Sequence, residues 1–496
     1  MKTKLSKILP VIWIANALLL VLVLLVTFVF TGDCPEYYED ETNESYSEEY
    51  VTPDAIVMNH VREVLEEVFS EYIAVEHPEV YVDGFPVLEI FINSEEPIDW
   101  NVIEHYSLQD IRENWTPATL SISNTSEAFE LDSIEVLARG RGNSTWQSFG
   151  AKRPLRFRFP EGPQAILDSA HTGRDWVTFA NAADPSHMRN FAAYHLASQL
   201  SFGWTPQTWF VHLYLDSEYW GVYLLLDERE ATPGRGDLYL HEDPTISEYM
   251  VEFDVRTRWD GDPVNSTWVD IRHSSFDIRW PSTSAWMDEV DNPHALYVED
   301  YLSRVDDAIV ARDREALESL IDLETFVDMY LIQEFTKNQD STWSSLFFQI
   351  RGQGEERRLY AGPVWDFDLS AGATAETLDH TQSRAINTLE DEQRLDWWYH
   401  LNQADWFMEL AHERWLEIRD VEVRNTIDEV ARVAIEFEED FNRDFERWPL
   451  QGTGAAEYGW HSSELTRSVR GHLNQVEALL SWYEMRIMWL NSWLNG

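Results

Sequence analysis

An uncharged, apolar run of 24 residues, Ile8 to Thr31, divides this chain before anything else about it is read. As a helix it would be about 36 Å long, enough to cross a bilayer. Lys2, Lys4 and Lys7 precede it and acidic sequence follows. That asymmetry keeps a short tail in the cytoplasm and sends the rest outside. A cleaved signal peptide is the competing reading, but the run is long for one and no small-x-small site follows it cleanly. Cys34 does not support a lipoprotein, because Thr31-Gly32-Asp33 is a poor lipobox. The expectation is a cytoplasmic tail at 1–7, a single-pass anchor at 8–31 and an extracytoplasmic remainder at the cell membrane. Residues 32–54, rich in Glu, Asp, Tyr and Ser, read as a self-repelling acidic linker. Over 55–82 a helical lead-in places Val57, Val61, Val64, Leu65 and Val68 on one face.

The remainder is long enough for two lobes or a core with an appendage. Apolar residues make up 44 % of the chain, ample for a core. Cys34 is the only cysteine, so no internal disulfide can staple the fold and packing must hold it. The charge balance is 37 basic against 89 acidic residues, net −52. Such a surface repels nucleic acid and anionic lipid head groups, and it resembles adaptation to high salt. Of five lysines, only Lys152 and Lys337 lie beyond the tail. In a chain that otherwise uses arginine, two retained lysines are either chance or a need for a compact ammonium, which meets phosphates differently from a planar guanidinium.

Two stretches carry chemistry. In the first, Ile134-Glu135-Val136-Leu137-Ala138 runs into Arg139-Gly140-Arg141-Gly142-Asn143-Ser144, and a second strand follows with Lys152, Arg156 and Arg158. Glycines let the backbone approach an anion that Lys152 or Arg156 can reach, although such hairpins are common. The second stretch begins at the end of an apolar, helix-like run with Lys337-Asn338-Gln339-Asp340, passes through Ser345 and the strand-like Leu346 to Ile350, and ends at Gly362-Pro363-Val364-Trp365-Asp366-Phe367-Asp368. Loop acid, hairpin and acid pair can bring carboxylates from two sides into one cleft, the layout phosphoryl transfer needs. Taken singly, Asp340 fits a turn cap and Asp366 and Asp368 fit solvated loop acids, the default in so acidic a chain. Between the stretches lie Trp176 to Asn181, Arg189-Asn190, a β-hairpin around Asp216 to Trp220, and Glu228. Zinc-ligand spacings, a G-x-S-x-G elbow and a nucleophilic cysteine in the folded part are all missing. Helical periodicity dominates from Trp406 onward.

These motifs together resemble the CotH (spore-coat protein H) kinase family: Arg-Gly-x-Gly-Asn-Ser-Thr-Trp with Lys-x-Pro-x-Arg, then Lys-Asn-x-Asp and Gly-Pro-Val-Trp-Asp-Phe-Asp. The likeness spans about residues 83 to 492. It implies an α+β, atypical two-lobed protein-kinase-like fold, with a core at 83–400 and a helical C-terminal part of the same domain at 401–496. It further implies transfer of the ATP γ-phosphate to serine of a surface or secreted protein, with Mg²⁺ or Mn²⁺. Asp340 would orient or deprotonate the serine, supported by Asn338 and Lys337. Asp366 would be the main metal ligand and Asp368 the second. Ser345 stands where protein kinases carry a metal-binding Asn, a weaker ligand that puts the second metal in doubt. Lys152, Arg156, Arg139 and Asn143 would serve the nucleotide, Glu228 would pair with Lys152 or make a structural ion pair, and Arg189 would need an acidic or phosphate partner. Two alternatives stay open: a non-catalytic adhesion or coat-assembly protein, and another nucleotide-dependent transferase on the same scaffold.

Overall fold

The computed structural model describes residues 79–94, 98–100, 106–142, 144–147, 152–255, 267–272, 274–281, 292–383, 394–449, 463, 465–466 and 469–494. The expected anchor, linker and most of the helical lead-in lie outside these residues, as does Asn143. Among the described residues no helix is long and apolar enough to cross a membrane.

The fold is α+β. Seven strands, β1 (Val87–Ile92), β2 (Thr116–Ser123), β3 (Leu131–Gly140), β4 (Leu155–Arg158), β5 (Asp175–Phe179), β6 (Thr208–Leu215) and β7 (Glu218–Asp227), close into a barrel in the order β1-β2-β3-β4-β5-β7-β6. Every neighbouring pair is antiparallel except β1 and β6, whose parallel pairing shuts the barrel. Sequence periodicity locates the strands, but closure depends on β1 meeting β6 across more than 100 residues and has no local signal.

The β6–β7 hairpin turns on Asp216 and Ser217, both with positive φ (49° and 66°), the turn whose twist matches the flanking strands. The Asp216 carboxylate then accepts from the Ile92 amide at 2.7 Å and from Trp100 Nε1 at 3.0 Å, which ties the turn to β1. Leu88, Ile90, Leu120, Phe157, Trp176, Leu213 and Trp220 fill one core within the barrel strands.

A second sheet of five antiparallel strands runs β12-β11-β8-β10-β9, from β8 (Tyr249–Phe253), β9 (Thr267–Ile271), β10 (Ser274–Trp280), β11 (Leu346–Arg351) and β12 (Arg358–Ala361). Its apolar side chains share a core with the opposite faces of β5, β6 and β7 and with the helices α1 (Met188–Ala197), α2 (Pro293–Ala311), α3 (Leu323–Thr336), α4 (Asp405–Ile418), α5 (Arg424–Glu436), α6 (Glu438–Arg447) and α7 (His472–Leu494).

Helix α3 is the central element. Asp322 caps its start, accepting from the Thr325 amide at 2.9 Å, and every residue from Thr325 to Thr336 is buried. A helix apolar all round belongs inside a core. It ends at Lys337, which takes the left-handed conformation (φ 47°) usually left to glycine. There the chain enters the loop that carries Asp340.

Candidate functional site

Three residues singled out by sequence, Lys337, Ser345 and Asp366, all have left-handed backbone, with φ of 47°, 59° and 56°. Such conformations cost energy in non-glycine residues and persist where the surroundings over-determine them. The surroundings here are two loops laced together. The Asn338 amide nitrogen Nδ2 donates to the Asp366 carbonyl at 3.2 Å, while its Oδ1 accepts from the Asp340 amide at 3.2 Å. The Gln339 amide donates to the Leu369 carbonyl at 3.3 Å and the Ala371 amide to the Thr336 carbonyl at 2.7 Å. From the barrel side, Asn190 Oδ1 accepts from the Phe367 amide at 2.7 Å, and Asn190 is held in turn by Asn181 at 3.2 Å.

The lacing puts Asp366 and Asp340 within electrostatic reach of Asp368. Desolvation, followed by the negative charges of Asp366 and Asp340, pushes the Asp368 carboxyl up to about 8, with Arg141 offsetting part of the rise. Asp366 remains partly exposed (29 %), its Oδ2 3.5 Å from the Ser345 hydroxyl and 3.7 Å from Arg141 Nη2. Among the described residues no three His, Cys, Asp or Glu side chains converge closely enough to hold a metal by themselves. An all-oxygen set that is not preassembled fits magnesium, which takes one or two carboxylates and completes its shell with water and phosphate oxygens. Asp366 and Asp368 would hold it, with Ser345 beside them.

Across from the acids stands a group of arginines. The Arg141 guanidinium lies over Phe179 (4.2 Å to the centroid) and Trp365 (5.5 Å), and Arg229 lies over Trp365 (4.1 Å) and Phe347 (4.4 Å). Glu228 sits between them, buried, 3.0 Å from Arg229 Nε and 3.6 Å from Arg156 Nε. Burial would raise its pKa, but Arg156, Arg229 and Arg141 hold it well below the ordinary glutamate range. Arg156 also bonds Asp175, and Arg158 Nη2 meets Asp175 Oδ2 at 2.7 Å. Arg139 stacks on Trp115 at 5.1 Å, and its buried Nε has no hydrogen-bond partner among the described residues. Burial and then the repulsion of Arg156 lower its pKa. The charges of Glu228 and Asp175 act on Arg139, but its Nε meets no acceptor among the described residues and could take an anion's oxygen.

The sequence profile of the CotH kinase protein family matches residues 138–490. This chain belongs to that family. A search of curated proteins finds no match to it. Membership supports a kinase-type transferase, for which ATP and a divalent metal are the general requirement.

Within the CotH domain, several expected roles are redistributed. Lys152 does not pair with Glu228. Its Nζ lies 2.8 and 3.0 Å from the two oxygens of Asp444, on α6, and both side chains are sealed, at 1 % and 0 % exposure. The reason is topological: Lys152 precedes β4 and reaches α6, whereas Arg156, four residues on and within the strand, meets Glu228. Asp444 is also reached by the Val222 amide at 2.7 Å and by His187 Nε2 at 3.1 Å. Arg189 finds the acidic partner its burial requires in Asp184, and it donates to the Ser370 and Ala371 carbonyls at 3.0 Å each. It thus braces the segment after Asp368 from behind and has no exposure of its own. Lys337 is likewise buried, its ammonium turned to the Asp379 carbonyl. Both are supports for the acid loops.

Sequence reasoning passed over Arg141, Arg229 and Asp444. Arg141 stood inside the Arg-Gly-Arg-Gly motif but was indistinguishable from Arg139 without the fold. Asp444 lies 292 residues from Lys152, with no pattern to link them.

Proposed function

We propose that this CotH kinase protein transfers the γ-phosphate of ATP to serine on a surface or secreted protein, on a kinase-like scaffold. The observation that carries the reading is the pairing of an acid cluster (Asp340, Asp366, Asp368) with a cationic wall (Arg139, Arg141, Arg156) in which the buried Arg139 Nε has no hydrogen-bond partner among the described residues. Polyanion and divalent cation complement these two faces. When bound, the metal neutralises phosphate charge and aligns the chain for in-line displacement. Asp340 accepts the proton of the serine hydroxyl as its oxygen bonds to the γ-phosphorus, and ADP leaves. Arg156 and Arg139 hold phosphate oxygens, and Glu228 keeps Arg156 aimed. Asn338 fixes Asp340 relative to Asp366.

The test is incubation with Mg²⁺ and ATP labelled at either the α or the γ position, together with co-expressed neighbouring surface proteins. The reading expects γ label on serine and none from the α position. Retention of α label would mean adenylyl transfer on this scaffold, and no label at all with no nucleotide binding would mean a non-catalytic surface protein.

We also propose that Ile8 to Thr31 anchors the protein in the cell membrane with the domain outside. Protease applied to intact cells then removes the domain. Survival of full-length protein, while a surface marker is digested, contradicts this topology.

A further inference from the structure

Arg141 occupies an unusual position for a residue near a cation site. Its Nη2 lies 3.7 Å from Asp366 Oδ2, and its side chain is mostly buried (13 % exposed). Two rings, Phe179 and Trp365, fix its plane. It is therefore aimed at the acids by packing and cannot easily swing to solvent, as a surface arginine would. The same charge also acts on Glu228 in the cationic wall and on Asp368 in the acid cluster. Arg141 is thus the point where the two faces of the cleft meet, and its guanidinium stands opposite the oxygen to which a metal would bind.

Resting on the kinase reading, we infer that Arg141 is a resident counter-ion that makes metal binding at Asp366 conditional on the nucleotide. A bare divalent cation on Asp366 would lie within a few ångströms of the mostly buried Arg141 guanidinium, and the two repel. A triphosphate changes the sign. Its oxygens can lie between the metal and Arg141, so both cations gain a partner that neither has alone. Metal and nucleotide then bind with positive coupling, and the coupling is reciprocal. A free acid cluster would be open to any divalent cation outside the cell, and Arg141 closes it to cations that arrive without phosphate.

The experiment measures Mn²⁺ affinity without nucleotide, from the loss of the free-ion paramagnetic resonance signal, and ATP affinity at saturating Mg²⁺. Wild type and Arg141→Gln are compared. The inference expects opposite changes: Mn²⁺ alone binds the variant about tenfold more tightly, and ATP with Mg²⁺ binds it about tenfold more weakly, a usual size for coupling between adjacent sites. Arg141→Lys, which keeps the charge, stays near wild type for Mn²⁺ alone. Should the Gln variant not fold, Arg141→Met keeps an apolar stem over both rings and makes the same comparison. Mn²⁺ affinity that is unchanged, or that falls together with ATP affinity, overturns the inference and leaves Arg141 a packing residue. A wild-type protein that binds neither Mn²⁺ nor ATP overturns the kinase reading itself, before any variant is compared.

Discussion

Replacing Asp444 with Asn separates a structural from a catalytic role for Lys152. The substitution preserves shape and the chance of a bond from the Val222 amide, but it removes the carboxylate that the Lys152 ammonium, 1 % exposed, meets at 2.8 Å. In the wild type, burial opposes ionisation of both partners and lowers the pKa of Lys152, yet Lys152 and then His187 hold that of Asp444 at about 2, and the 2.8 Å contact is that of an ion pair. Breaking a buried pair from one side costs about 3–5 kcal/mol.

An independent ceiling comes from proton chemistry. A stranded lysine can always shed its proton, at about 1.4 kcal/mol per pH unit below its ordinary pKa. The ceiling is therefore about 4.6 kcal/mol at pH 7 and about 1.9 kcal/mol at pH 9. Asp444→Asn is thus expected to lose about 3–4.6 kcal/mol at pH 7 in urea unfolding followed by tryptophan fluorescence, and no more than about 1.9 kcal/mol at pH 9. The double variant Lys152→Met with Asp444→Asn, which strands no charge, recovers most of the loss. A deficit under about 1 kcal/mol at pH 7, or one equally large at pH 9, refutes the ion-pair account. If folded Lys152→Met loses ATP affinity more than about tenfold, Lys152 serves phosphate after all.

Further outcomes follow from the same network and from the site. Burial, then the charge of His187, holds the pKa of His472 down at about 3, its ring stacked on Phe441 at 4.0 Å. Because the folded pKa lies below the unfolded value near 6.5, stability is complete above that pH and is lost as pH falls from 6.5 toward 3, with about 2 kcal/mol gone at pH 5. A stability–pH profile of His472→Gln should lack that portion of the acid loss, and an unaltered profile contradicts it. Asp366→Ala should abolish the Mg²⁺-dependent rise in melting temperature with ATP, whereas Asp368→Ala should reduce it. An undiminished rise in Asp366→Ala removes that residue from the site.

Much of the fold was readable where the signal is local. The strand pattern of Val87–Ile92 and the β11–β12 hairpin lie within a residue or two of their periodicity, and the hairpin at Asp216 is where it was read but tighter, with β7 starting at Glu218 instead of Gly221. Barrel closure was not readable, since β1 meeting β6 is a long-range pairing. The acid loops were readable as a motif, and Asn338 bridges them as its position between Lys337 and Asp340 suggested. What the sequence could not do was choose among cations. Arg139, Arg141, Lys152 and Arg156 occupy a short stretch with equivalent chemistry, and only the side each faces separates them. The rarity of lysine marked Lys152 as a phosphate ligand, whereas in the structure its ammonium fills a sealed space beside Tyr223 and Asp444.

The most direct test of the central claim is phosphate incorporation by Asp340→Asn. On the proposed reading the carboxylate acts on the serine proton mainly in the transition state, so its loss should cost rate far more than binding. The account expects a variant with wild-type melting temperature and ATP affinity within a few-fold, and with γ-phosphate transfer to serine slower by about 10²–10⁴. A folded, ATP-binding Asp340→Asn protein that labels serine at the wild-type rate contradicts it.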